Sequence, residues 1–194
     1  MARPKTDTRD RLLADAMFYV AMHGVGDLNM RELATALGTS SRMLVFHFGS
    51  KEALLIEIVR AVEQQQREFL ERVTAENEIA PVDRLRALWR HLIDPALAPY
   101  ERLFFELYGH ALWGRPHAIA LLDGIVESWL GPLSEIFQQA GVPAERSRQD
   151  ARLAVAVARG LLLDLLATGD RAAVTSTFER FVATYEGRVE EPQR

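Results

Sequence analysis

Apolar residues recur along this chain of 194 residues at spacings of three and four almost throughout. That is the period of an amphipathic helix, and the strict alternation of a half-buried strand is scarce. Stop and start signals divide the pattern into nine predicted helices. The first covers about 6–23, with Leu12, Leu13, Ala16 and Val20 on one face and Gly24 past its end. The second opens at Asn29, whose side chain suits a helix cap, with Glu32 at the capping-box position. Its apolar residues Met30, Leu33, Ala34 and Leu37 follow i, i+3, i+4, i+7, and Gly38 stops it. A short third helix begins after Thr39 or Ser40 and ends near Phe48, before Gly49. Ser50 is placed to cap a long fourth helix over about 51–77. Further segments are expected at 81–93 and 99–112, opened by Pro81 and Pro99, and at 117–140, kinked at Gly131-Pro132. The last two, 144–168 and 171–187, are separated by Gly169-Asp170, a terminator followed by a cap. The fold class is therefore all-α.

The eighth segment is apolar nearly all round from Leu153 to Ala167. A helix apolar on every side must be covered on every side, and one chain of this length has few helices to spare. A second copy of the chain is the natural cover, which makes 144–168 and 171–187 half of an intermolecular four-helix bundle and the protein a homodimer. Arg159 and Asp164, isolated within this helix, need partners, across the dimer or facing a ligand, because an unpaired buried charge is costly.

Composition narrows the classes. Hydrophobic residues make up 48% and charged ones 26%, enough apolar mass for a substantial core. The absence of cysteine excludes a disulfide framework, a thiolate metal site and a cysteine nucleophile. The N-terminus MARPKTDTRDR has no apolar region of a signal peptide, and the most apolar run, LAVAVARGLLLDLLATG, is interrupted by charges and short for a bilayer. The expectation is a cytoplasmic protein without a membrane partner. The net charge of −4 conceals an asymmetry: residues 1–51 carry seven Lys/Arg against five Asp/Glu, and residues 52–194 carry 16 against 22. A polyanionic partner would be met at the N-terminal end.

Two short helices joined by a Gly-containing turn, the second exposing polar residues, form a helix-turn-helix pattern over 29–48. Leu33 and Leu37 on the brace can meet Leu44 and Phe48 on the reader, which are i and i+4 on one face. The rest of the reader offers Ser41, Arg42, Val45, Phe46 and His47 to a major groove.

The segment TRDRLLADAMFYVAMHGVGDLNMRELATALGTSSRMLVFHFGSKEALL resembles the DNA-binding domain of TetR-type transcriptional regulators, over about residues 6–56. The likeness rests on Gly24, Asn29, Leu33-Ala34, Leu37-Gly38, Ser40, His47-Phe48 and Ser50-Lys51-Glu52-Ala53-Leu54. It implies a nine-helix fold with a DNA-binding domain at 6–51 and a ligand-binding and dimerisation domain at 52–188. It further implies that Lys51 contacts a phosphate, that Asn29 touches the backbone where relatives usually carry Thr, and that Ser40, Ser41 and His47 are contact positions. For His47 a second role, seating the reader, stays open, as does a plain solvated lysine for Lys51. Two departures stand out: Val45 occupies the usual tyrosine position and Arg42 a frequent glycine position. Valine cannot donate to a phosphate, though its methyls suit a thymine methyl. Arginine suits guanine O6 and N7, with a phosphate contact as the competing role. Phe46 is expected to pack against the fourth helix; Arg3 and Lys5 are candidates for an arm at the minor groove, against the plainer reading of a disordered tail.

The same resemblance implies a small-molecule effector site in the larger domain. Trp89, His91, Phe105, Tyr108, Trp113 and Trp129 are the candidate lining, an apolar wall with polar handles, against the plainer reading that they are core. No HxxxH spacing, phosphate loop or nucleophile elbow is present, so neither a metal, a cofactor nor an enzymatic activity is expected. The expected function is a ligand-responsive regulator, a repressor, that binds a palindromic operator as a homodimer. The rival is a helical small-molecule-binding protein with weakened or lost DNA binding, favoured by the missing tyrosine at Val45.

Overall fold

A computed structural model describes residues 5–24, 28–75, 79–116 and 118–186, with the side chains of 5–7 excepted. The arm suggested at Arg3 and the Lys5 side chain lies outside this description. Among the described residues there are nine α-helices and no strand: α1 (Lys5–His23), α2 (Met30–Ala36), α3 (Ser41–Phe48), α4 (Lys51–Ala75), α5 (Pro81–Leu92), α6 (Ala98–Leu112), α7 (Glu127–Gln139), α8 (Ala144–Thr168) and α9 (Arg171–Ala183). Two short 3-10 turns, Pro95–Leu97 and Ile119–Leu122, complete the order. No described helix is long and apolar enough to cross a membrane.

One predicted segment is corrected. The periodicity over 117–140 reads as a single kinked helix, whereas the chain forms the 3-10 turn Ile119–Leu122 and then α7 from Glu127. Gly124 lies between them at φ 69°, a left-handed conformation that glycine adopts without a Cβ clash and that a continuing helix does not contain. Pro132, the expected break point, lies inside α7.

By contacts the chain divides into two compact units, residues 1–63 with 96–123 and residues 64–95 with 124–194. This differs from the expected division at 51/52, because α6 joins the N-terminal helices. Tyr100 on α6 donates its hydroxyl to the Met17 carbonyl at 2.9 Å. Burial has pushed the Tyr100 phenol pKa up, which keeps that hydroxyl a donor. In the same unit Arg9 of α1 reaches Glu57 of α4 at 2.6 Å and lies 5.4 Å from the Phe48 ring centroid. Of the predicted face of α1, Leu12, Ala16 and Val20 are buried with Leu33, Leu44, Leu54 and Ile58, and Leu13 is half-buried.

In the second unit α7 and α8 pack along much of their length, with α5 and α9 alongside. Trp89 stacks on Phe178 with centroids 4.6 Å apart. Arg86 of α5 joins α9 through Glu179 at 2.8 Å, reaches Glu186 at 2.5 Å and also holds Asp83 at 2.8 Å. Hydrogen bonds to Glu179, Glu186 and Asp83 raise its pKa, so the charge is fixed at every accessible pH. The predicted stripe of α9 is largely confirmed: Val174, Phe178, Val182 and Tyr185 are buried and Phe181 is half-buried.

Candidate nucleic-acid interface

The geometry of the helix-turn-helix starts from its caps. The Asn29 side-chain oxygen accepts from the Arg31 N–H at 2.9 Å and opens α2. Leu33 and Ala34 bury its inner face. Gly38, at φ 63°, turns the chain so that the Thr39 N–H reaches the Ala34 carbonyl at 2.9 Å. Ser40 then caps α3 by accepting from Met43 N–H at 3.2 Å. At the far end Gly49, at φ 81°, returns its N–H to Val45 O, and Ser50 accepts from Ala53 N–H at 3.1 Å to open α4. The caps therefore satisfy open N–H donors at helix starts, and the glycine turns satisfy open carbonyls at helix ends.

Within α3 the residues sort by angle. Leu44 is fully buried and Phe48 is 4% exposed, while Phe46 is 68% exposed, Val45 49% and Met43 39%; Arg42 is exposed as well. Phe46 thus faces solvent, not the fourth helix, which corrects the expectation for it. The signal was available: at about 100° per residue, position 46 lies opposite the direction fixed by 44 and 48. Ser41 and His47 lie on the half-buried flanks. Ser41 donates its hydroxyl to the Met30 carbonyl at 3.4 Å, a weak tie back to α2. The His47 Nε2 is buried and meets no hydrogen-bond partner among the described residues, and its ring lies edge-on to Phe46 at 5.1 Å between centroids. Both placements favour a seating role. Lys51 is the first residue of α4 and is half-buried, at the end of the helix where backbone N–H groups and the macrodipole attract anions.

Residues 12–58 match the model of the bacterial regulatory proteins of the tetR family. That match covers about a quarter of the chain, and over it the chain is similar to that family. No curated protein matches the chain. Among solved structures it is similar to a transcriptional regulator from Rhodococcus, at TM-score 0.75 and 19% identity over 92% of this chain and 95% of that one. It is also similar to GusR of Salmonella enterica, at TM-score 0.69 and 20% identity over 97% and 98%. A further likeness is to FadR of Thermus thermophilus, a TetR-family repressor solved with lauroyl-CoA, at TM-score 0.66 and 19% identity over 96% and 97%. At these identities the likeness beyond the matched domain is one of fold.

The aromatic set proposed for a ligand divides between the two units. Trp89, His91 and Trp129 belong to the second, Phe105, Tyr108 and Trp113 to the first. Trp89 and Trp129 are buried, and His91 stacks on Phe69 at 4.1 Å. Burial lowers the His91 pKa, partly opposed by Asp94, so the ring is neutral at pH 7 and able to both donate and accept. Phe104 gathers Phe105 and Tyr108 at 5.2 and 5.4 Å. Trp113 is 85% exposed, at the C-terminus of α6. Arg159 donates to the Ile125 carbonyl at 2.6 Å, so its charge has a partner inside the chain, and Asp164 is exposed. Among the described residues no three His, Cys, Asp or Glu side chains gather as a metal site.

Proposed function

We propose that this protein is a ligand-responsive transcriptional repressor, acting in the cytoplasm as a homodimer on a palindromic operator. The observation that carries the reading is the division of α3, with Leu44 and Phe48 seated while Arg42, Val45 and Phe46 stand exposed, one turn before Lys51 at a helix start. A reader helix needs both: a fixed orientation and a free face. In this reading Arg42 meets base edges, Val45 lies against the groove wall, and Lys51 and Asn29 hold phosphates. Ser40, Ser41 and His47 set the angle of the helix.

The dimer forms through α8 and α9. Leu153, Ala156, Gly160, Leu163 and Ala167 recur at spacings of three and four on α8 and all are exposed in the single chain, Leu153 at 48% and Leu163 at 53%. A second α8 covers such a face by close helix packing. Two readers then lie about 34 Å apart, one helical turn of DNA. An amphipathic small molecule held by Trp89, His91 and Trp129, or by Phe105 and Tyr108, favours a dimer whose reader spacing no longer fits. That FadR of Thermus thermophilus was solved with an acyl-CoA supports an effector of amphipathic character.

Fluorescence anisotropy on duplexes selected by the protein from a random library tests the reading. The expected result is saturable binding that weakens steeply between about 50 and 200 mM salt. Absence of binding at any salt overturns it and leaves the small-molecule-binding alternative.

A further inference from the structure

The most exposed large apolar side chain of the reader helix is an aromatic with no hydrogen-bonding group. Leu44 and Phe48 fix the buried direction of α3, and at about 100° per residue Phe46 points directly away from it. Arg42 lies one turn earlier on the same stripe, with Met43 and Val45 to either side. Phe46 is therefore the foremost side chain of any surface this helix presents. The edge contact from His47, at 5.1 Å, braces its ring from the seated side. A phenyl ring at the floor of a major groove can be recognised by one apolar feature there, the C5-methyl of thymine.

We infer that Phe46 is a specificity-determining residue that reads thymine through its 5-methyl group, beside the base read by Arg42. This rests on the DNA-reading function proposed above. One helical turn, about 5.4 Å, separates the two side chains, and base pairs rise about 3.4 Å along each strand. Each half-site accordingly carries a thymine one or two steps from the base that Arg42 contacts.

The experiment uses the full chain and duplexes selected from a random library, resynthesised with deoxyuridine for thymine at one symmetric pair of positions at a time. Uracil keeps the pairing and removes only the methyl. One pair of thymines is expected to weaken binding roughly fourfold per half-site, about fifteenfold together, on loss of its methyls. Phe46→Ala should bind the thymine and uracil forms of that duplex alike, while Phe46→Leu keeps the preference. Because the side chain is exposed, both variants should melt with the parent by circular dichroism. If uracil is tolerated at every position, or if Phe46→Ala keeps the preference, the assignment falls and DNA reading stands. If the protein selects no duplex, the DNA-reading function falls with it.

Discussion

Both α3 and α8 bury one side and leave apolar residues exposed on the other, but the two faces differ in side-chain size and in where their charge lies. On α3 the exposed arc mixes the long cation of Arg42 with large apolar side chains, Met43, Val45 and Phe46. On α8 it consists mainly of Leu153, Ala156, Gly160, Leu163 and Ala167, with Asp164 and Arg152 exposed at its two edges. Large side chains beside a cation suit a groove that is deep, polar at its floor and anionic at its walls. Leucines alternating with alanine and glycine let two backbones approach and exclude water over a long line, with charges only at its margins. In the function proposed above, the contrast matches DNA to one face and a second copy of the chain to the other.

The largest expected effect comes from placing a charge on the α8 face. Leu163→Arg leaves the single chain folded, since the position is 53% exposed, but sets a cation in the centre of the dimer contact. The expected mass by light scattering falls from twice 21.9 kDa to 21.9 kDa. Operator affinity falls by roughly a hundredfold or more, because two linked readers lose the gain from simultaneous engagement. An unchanged mass would remove α8 from the interface and with it half of the comparison.

A smaller effect separates reading from holding within the DNA face. Arg42→Ala is expected to cost about 1–3 kcal/mol on the selected operator and much less on a scrambled one, if the guanidinium meets guanine O6 and N7. Equal losses on both would make Arg42 a phosphate contact. Lys51→Gln gives the opposite signature: both duplexes weaken together, and the slope of log affinity against log salt becomes shallower by roughly 0.9 per lost contact, about two per dimer. Titrations at several salt concentrations distinguish the two residues directly.

How far these features were legible in the sequence depended on whether their causes were local. The end of α8 follows from Gly169, the start of α9 from Asp170 and the bounds of α3 from Ser40 and Gly49, because caps and terminators act within a few residues. Gly124 acts just as locally, yet the apolar period continues across it and hid the break before α7. Phe46 was misplaced by judging its chemistry before its angle. The division into compact units was out of reach, since α6 joins the N-terminal helices through packing and the Tyr100–Met17 bond, which span 83 positions. Arg159 illustrates the same limit: one of its partners is a backbone carbonyl, that of Ile125, and carbonyls leave no signature in residue type. The ligand-lining set failed to gather within one unit for a related reason, because aromatic content marks apolar surface without saying which neighbour covers it.

Asn29 provides the finest test, because one side chain there has two separable duties. Its side-chain oxygen caps α2 through Arg31 N–H, which leaves the amide NH2 at the exposed start of the reading motif. Asn29→Asp keeps an acceptor for the cap and adds a negative charge at a helix N-terminus, where it is welcome. Stability in urea should therefore stay within about 0.5 kcal/mol of the parent. The same change removes the only donor and turns a carboxylate towards phosphate, so DNA affinity should fall by about 0.5–1.5 kcal/mol per subunit or more. Asn29→Ala loses both duties, with about 1 kcal/mol of stability as well. Should Asn29→Asp bind DNA as tightly as the parent, Asn29 is a cap alone, and the DNA-facing surface begins at α3.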